Sequence, residues 1–329
     1  MEPREQARAP RISGINVAGE AVEVDYSANL INVVVFFEPV SKNSLDTVEL
    51  VRLLSQRYEK LSVGFWFVLE PRLSCMFRGE EAQRTLDRLG LFSNIVFDAN
   101  SMIVLQSGVR IVPAVLVVDS NSFIKSQFEG EISFREIERT IQARLALSGY
   151  RDDLPNMGGV DFDFSHARGG SILKQLGYAT GDYVFSSIVV PEANQQFSLP
   201  DFCLLNTIYP HGAWYVSRDF IGGNAGSTVY VSCAKDESII VFAGSDEEAV
   251  LRIHTSIESP QYFVLGKDVK KIGGVLEVNV NECRPYEILS TSGDTDILIS
   301  LQVLSGSVRL YTVEFCQQSQ VINGQPLFW

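Results

Sequence analysis

The stretch Ile31–Tyr58, I-N-V-V-V-F-F-E-P-V-S-K-N-S-L-D-T-V-E-L-V-R-L-L-S-Q-R-Y, decides the reading of the first half of the chain. Its opening, Ile31–Phe37, is a nearly continuous apolar run, as expected of a strand buried on both faces. A turn over Glu38–Ser44 follows, and Leu45, Val48, Val51, Leu54 and Tyr58 then recur along one helical face. Working outward, Leu61–Leu69 reads as a second buried strand and Gly79–Leu89 as a helix through Ala82, Leu86 and Leu89. Asn94–Asp98 and Val115–Asp119 are short strands, and Phe123–Phe128 is the hairpin partner of the latter. Ser133-Phe-Arg-Glu136 has the form of a capping box, opening a helix that carries Phe134, Ile137, Ile141 and Leu145 inward. Gly149 is its stop. The order is a βαβ unit joined to a ββα unit.

That order is the order of the thioredoxin fold, and two motifs sharpen the likeness. Phe36–Ser44, F-F-E-P-V-S-K-N-S, resembles the F-W-x-x-x-C-x-x-C active-site segment of TlpA-like thioredoxins, with Ser41 and Ser44 at the two cysteine positions. Asn43 between them is similar to the C-I-N-C variant of DipZ-type thioredoxin domains. Val109–Asp119, V-R-I-V-P-A-V-L-V-V-D, looks like that family's cis-proline segment, with Pro113 as the cis-proline. Phe128–Glu131 stands where the family carries a G-E-G-like turn. The resemblance covers about residues 15–150. It implies that Val112 and Pro113 shape a surface that receives a protein or peptide.

The departure from the family pattern is chemical. Its reaction needs a thiolate at a helix N-terminus and a second thiol at i+3 to close the disulfide. A serine hydroxyl is far less acidic and forms no disulfide, so Ser41 and Ser44 cannot run that exchange. A hydrolytic role for Ser41 would need a general base within hydrogen-bond reach. All three histidines (His166, His211, His254) lie beyond residue 165, and only Glu38 and Lys42 are charged nearby. The expectation is that both serines cap the helix; replacement of native cysteines by serine is the alternative. Cys75, after the second strand, is a candidate displaced thiol or a plain loop cysteine.

The 329 residues are 46% apolar and 20% charged, an ordinary soluble globular composition of about two domains. The net charge is −13, with −3 in residues 1–150 (16 basic, 19 acidic) and −10 in 151–329 (11 basic, 21 acidic). Neither half offers a basic surface to a phosphate backbone, so nucleic acid is not an expected partner. No apolar run approaches the ~18 residues of a spanning helix. The start, M-E-P-R-E-Q-A-R-A-P-R, lacks the apolar core of a signal peptide, which favours a cytoplasmic expectation. The five cysteines, Cys75, Cys203, Cys233, Cys283 and Cys316, form no C-x-x-C, so no metal finger is expected. No cofactor is expected.

The second half alternates differently. After a Gly-, Asp- and Asn-rich linker at 151–168, short runs at 183–190, 213–220, 227–234, 238–243, 249–255, 274–280, 297–304 and 308–315 read as strands. In the seventh, Ile297, Ile299, Leu301 and Val303 share one face at period two. Strands without helices suggest a jelly-roll β-sandwich over residues 169–317, with a flexible start at 1–14 and a tail at 318–329. The segments W-Y-V-S-R-D-F, V-Y-V-S-C-A-K-D-E-S-I-I-V-F, E-C-R-P-Y-E-I-L and V-R-L-Y-T-V-E-F resemble the C-terminal domain of DipZ-type proteins, which is similar in fold to carbohydrate-binding modules. That resemblance implies a glycan as ligand, which the acidic balance of this half restricts to a neutral one; a protein-contact or purely structural domain is the alternative. Trp214, Tyr215 and Tyr286 are the leading stacking candidates, with Tyr230 and Tyr262 behind them, against the simpler reading that strand aromatics are core. His254 alternates with Leu251 and Ile253 and should face outward. Asp161, Asp163, Asp294 and Asp296 could donate oxygens to calcium, but no spaced loop supports it. The sequence therefore leaves a thioredoxin-fold binding or scaffold protein without its dithiol, or a thiol–disulfide oxidoreductase with its cysteines replaced.

Overall fold

In the computed structural model, which describes residues 7–150, 154–157, 171–179, 189–257, 262–292, 295–317, 321–322 and 325–326, β3 (Ile31–Phe37) is buried at every position. The unbroken apolar run has this cause: both faces of its sheet are covered. One face packs against α1 (Lys42–Arg57) and α4 (Phe134–Leu147), which also touch each other. On the other, Val34, Phe36, Val68, Leu116 and Val118 form a core with Ile12, Val24, Ile103 and Val104. The chain divides into two units, Met1–Asp163 and Phe164–Trp329.

The first unit holds a seven-stranded sheet. Its strands are β1 (Ser13–Ile15), β2 (Ala21–Glu23), β3, β4 (Val63–Leu69), β5 (Ile95–Phe97), β6 (Ala114–Asp119) and β7 (Ile124–Glu129), in the order β2-β1-β5-β4-β3-β6-β7. β3, β4 and β5 are parallel, whereas β6 and β7 run antiparallel to their neighbours. A central parallel pair joined by α1, then an antiparallel hairpin ahead of α4, is the thioredoxin-like topology that the sequence predicts. Two helices complete it: α2 (Gly79–Arg88), where the sequence reading has a helix, and the short α3 (Met102–Gln106), which that reading does not contain. Ser133 does stand at the N-cap of α4, but its side chain makes no capping bond; only its carbonyl accepts, from Glu136 and Ile137.

Where α1 ends, a buried polar network ties it to α4. Glu138, with a fully buried side chain, pairs with Arg57 Nε at 2.9 Å and accepts from the Tyr58 hydroxyl at 3.2 Å. Gln142 donates to that hydroxyl and to the carbonyl of Pro155, and Arg57 reaches the carbonyl of Asn156. Burial pushes the Tyr58 phenol up to about 12.

The second unit is β-rich and antiparallel throughout its described part. Its strands are β8 (Ser171–Gln175), β9 (Ala193–Phe197), β10 (Thr207–Val216), β11 (Ile221–Asn224), β12 (Thr228–Cys233), β13 (Glu237–Gly244) and β14 (Ala249–Thr255). β15 (Phe263–Leu265), β16 (Lys270–Ile272), β17 (Val275–Val280), β18 (Arg284–Thr291), β19 (Ile297–Ser305) and β20 (Ser307–Gln317) follow. β10 is divided. Its first half, Thr207–His211, pairs with β12, and its second, Gly212–Val216, with β9 and, over its last three residues, also with β11. Gly212 at the break has φ +86°, a value that side chains resist. The strands reached from the two halves of β10 share one apolar core, which includes Val241, Val313 and Phe315 from one group and Leu251, Ile299 and Leu301 from the other. Ile297, Ile299, Leu301 and Val303 are buried and His254 exposed, as the alternation predicts. The expected strand at 183–190 falls largely outside the described residues. No helix of the described residues is long and apolar enough to cross a membrane.

The Glu138 network generates one test. Truncating one partner of a buried charge pair leaves the other unpaired, so Glu138→Ala is expected to cost about 3–5 kcal/mol, read from the urea midpoint and slope. A loss below about 1 kcal/mol would show a pair with solvent access.

Candidate functional site

The peptide backbone leaves β3 at Phe37 and enters α1 five residues later, and everything between serves the helix start. Ser41 has extended φ/ψ (−99°, 147°), the conformation of an N-cap. Its Oγ accepts from the Ser44 N–H at 3.3 Å. The same hydroxyl donates to Glu38 Oε1 at 2.8 Å, and Glu38 Oε2 accepts from the Val40 N–H at 2.8 Å. Ser44 closes the circle, its Oγ accepting from the Glu38 N–H at 3.0 Å. All three residues are buried, Glu38 at 3% exposure, Ser41 at 8% and Ser44 at 0%. The first turn of α1 has no acidic residue of its own. Glu38, folded back from upstream, brings its carboxyl group to the helix start.

Pro113 is brought to the same place. The side chain of Asn43 donates to the Gly130 carbonyl at 3.1 Å, and the Gly130 N–H donates to the Pro113 carbonyl at 2.8 Å. The Val112–Pro113 peptide is cis. Pro113 is buried and Val112 half-buried, while Ile111 beside them is 57% exposed. The helix start, Asn43, the turn at Gly130 and the Val112–Pro113 segment therefore form one hydrogen-bonded constellation.

Two more carboxylates follow the ends of the parallel strands. Glu70 follows β4 and pairs with Arg72 at 3.1 Å; Asp98 follows β5 and accepts from the Val104 N–H at 2.9 Å. Each has its own partner, and both are buried.

As a catalyst the site is constrained. Neither serine can supply a thiolate. Ser41 does meet a carboxylate, but both of its hydrogen-bonding roles are taken by Glu38 and Ser44, which is the arrangement of a cap. The sequence reading names Glu38 only as a nearby charge and Asn43 only as part of the motif, and misses the hydrogen bonds they make; the Glu three positions ahead of the capping serine is the signal that could have found the first.

Three candidates need correction. Cys75 is buried and disulfide-bonded, so it offers no displaced thiol. Trp214 is 1% exposed: its ring lies over Gly223 on the neighbouring strand, where an added Cβ would stand 2.6 Å from it, and its indole N–H donates to the His211 carbonyl. Tyr286 is also 1% exposed, with its hydroxyl turned to the Asn281–Glu282 backbone and the Arg284 guanidinium over its ring. Neither offers a stacking face, because each ring is consumed by the core.

The remaining candidates are scattered. Tyr215 is half-buried, packed against Phe220 with its hydroxyl on Glu192; Tyr230 meets His211 edge-on, and Tyr262 packs against the core. Asp296 accepts from the Lys235 N–H, and Asp161, Asp163 and Asp294 lie outside the described residues. No cluster of three or more His, Cys, Asp or Glu side chains that could hold a metal occurs among the described residues. Cys203, Cys233 and Cys316 are in no disulfide, and burial beside Glu237 pushes the Cys233 thiol far up.

No family model and no curated protein matches the chain. Solved structures resemble part of it. A thioredoxin-described solution structure from Neisseria meningitidis is 16% identical, covers 44% of this chain and 93% of its own, and gives a TM-score of 0.38. A thiol:disulfide interchange protein of Chlorobium tepidum is 13% identical over 44% of this chain and 99% of its own, TM-score 0.37. A secreted Mycobacterium tuberculosis disulfide oxidoreductase is 12% identical over 40% and 95%, TM-score 0.35. The fold assignment rests on the strand order above, not on these values.

Two measurements check this geometry. Ser41→Ala, which removes the cap, is expected to cost about 0.5–2 kcal/mol in denaturant unfolding; an unchanged midpoint would mean the cap bond is not formed. Cys75 is expected to resist alkylation in denaturant until a reductant is added, as followed by peptide mass spectrometry.

Proposed function

We propose that this chain is a thioredoxin-fold binding module, a protein that presents the Val112–Pro113 surface to an extended peptide or protein segment without exchanging disulfides with it. The observation that carries the reading is the closed Glu38–Ser41–Ser44 circle. It gives the helix start the acceptors it needs with groups that have no redox chemistry, while Asn43 and Gly130 keep the neighbouring loop in place. The exposed Ile111 supplies apolar surface beside Val112 and Pro113. The β-rich unit serves this reading as a structural or protein-contacting partner domain, of sandwich type; its buried Trp214 and Tyr286 give no support to a glycan site there. A closed disulfide at Cys75 supports an oxidising compartment in place of the cytoplasm.

A second reading, a thiol–disulfide oxidoreductase with serines in place of its cysteines, is favoured by one observation. The two serines occupy the N-cap and third position of α1, where a thiolate would be stabilised by unpaired N–H groups and a second thiol would lie in reach.

One pair of experiments addresses both. The protein as it stands is expected to leave the rate of insulin reduction by dithiothreitol at the uncatalysed level; measurable acceleration overturns the binding-module reading. Ser41→Cys with Ser44→Cys is expected to form a reversible disulfide in a glutathione titration. Failure to form it would sink the alignment behind both readings.

A further inference from the structure

The connection from β5 to β6, residues 98–113, contains the Val112–Pro113 segment, and the rest of it has a chemistry of its own. Phe36 at the end of β3 stands opposite Ala114, which brings the last residues of the connection beside the Glu38–Ser41 turn. Its backbone is fixed from within. Asp98 accepts from the Val104 N–H, the Ser107 hydroxyl donates to the Ile103 carbonyl, and the Gln127 side chain reaches the Gly108 carbonyl at 3.5 Å. Ile103, Val104 and Val109 turn into the core. Met102, Leu105 and Ile111 do not: all three are exposed, Leu105 at 70%. Several large apolar side chains left in solvent on one fixed connection mark a contact surface, where a single one would not. The N–H and C=O groups of Ile111 and Val112 have no hydrogen-bond partner among the described residues, so a ligand backbone can pair with them.

Charge is scarce here, and its sign is defined. Asp98 and Arg110 are the charged residues of the connection, and Asp98 is buried. That leaves the exposed Arg110, whose guanidinium has no carboxylate partner among the described residues. On the other side of Ile111 is the turn at Gly130, where an added Cβ would stand 3.8 Å from the isoleucine side chain. Its flanking carboxylates are Glu129, which accepts from Gln127, and the exposed Glu131. Negative charge on a ligand is therefore favoured on the Arg110 side of Ile111 and opposed on the Gly130 side. We infer that the segment received at this surface is aliphatic and acidic, with apolar side chains set on Leu105 and Ile111 and one Asp or Glu paired with Arg110. The inference rests on the binding-module reading and adds the chemistry of the ligand to it.

The test uses acetylated, amidated peptides of sequence G-L-V-E-L-G, the same with Gln or Lys in place of Glu, and G-S-T-E-S-G, which lacks aliphatic side chains. Each is titrated into the full ¹⁵N-labelled chain at low salt and followed by amide spectra. The aliphatic Glu peptide is expected to bind tightest, with shifts at Leu105, Ile111 and Val112, and to lose roughly threefold in affinity with Arg110→Ala. Arg110→Glu is expected to reverse the order, so that the Lys peptide binds best. Leu105→Ser is expected to weaken the aliphatic peptides alike. Equal affinity for the Glu, Gln and Lys peptides, an order that Arg110→Glu leaves unchanged, or equal binding of G-S-T-E-S-G would overturn the inference and leave the binding-module reading standing. No saturable shift with any peptide up to roughly 10 mM would overturn both.

Discussion

The first backbone N–H groups of α1 point into a region with little water, and they have to find acceptors there. Most of what distinguishes the first unit follows from how that requirement is met. Ser41 accepts one N–H, but its own proton then needs a destination, and Glu38 provides it. Glu38 is buried near the positive end of the helix, and the Ser41 hydroxyl and the Val40 N–H both donate to its carboxyl group. Ser44 fastens the turn from the inside. A thiol at either position would make weaker hydrogen bonds and a larger atom to place. The circle is thus specific to oxygen, and it joins the end of β3 to the start of α1 with no free nucleophile in between.

Much of this frame is legible in the sequence and some of it is not, for physical reasons. β3 and α1 are legible because a doubly covered strand must be apolar throughout, and because Val48, Val51 and Leu54 repeat at helical spacing. The start of α1 reads three residues late, since Lys42 and Asn43 bring no apolar side chain to the first turn. The first half of β10 is hidden by Pro210 and Gly212, which argue against a strand interior but stand where the strand changes partners, while the second half is read as 213–220, four residues past its end at Val216. The neighbours Ala213 and Tyr215 do not say which face of the strand Trp214 takes. The deciding residue was Gly223 opposite, whose missing side chain makes room for the indole. Cys75 is illegible in principle, because a disulfide depends on geometry that spacing does not encode.

The two ends of the first sheet divide its chemistry. At the end where the parallel strands finish, Glu38, Ser41, Ser44, Glu70 and Asp98 each have a hydrogen-bond or ion-pair partner. At the end where they begin, the buried Asn32 keeps its Oδ1 without a hydrogen-bond partner. A helix start can be well ordered for the sake of the helix it caps, without carrying a nucleophile.

The pairing of β20 has a consequence for synthesis of the chain. This late strand is hydrogen-bonded to β8, β11 and β13, so three strands made earlier lack a neighbour until residues 307–317 have been added. On a ribosome the first unit, whose strands pair largely with close neighbours in sequence, can complete its sheet while the second still exposes open edges. The slow, aggregation-exposed interval in the life of this molecule therefore belongs to the second unit, and it closes when β20 emerges.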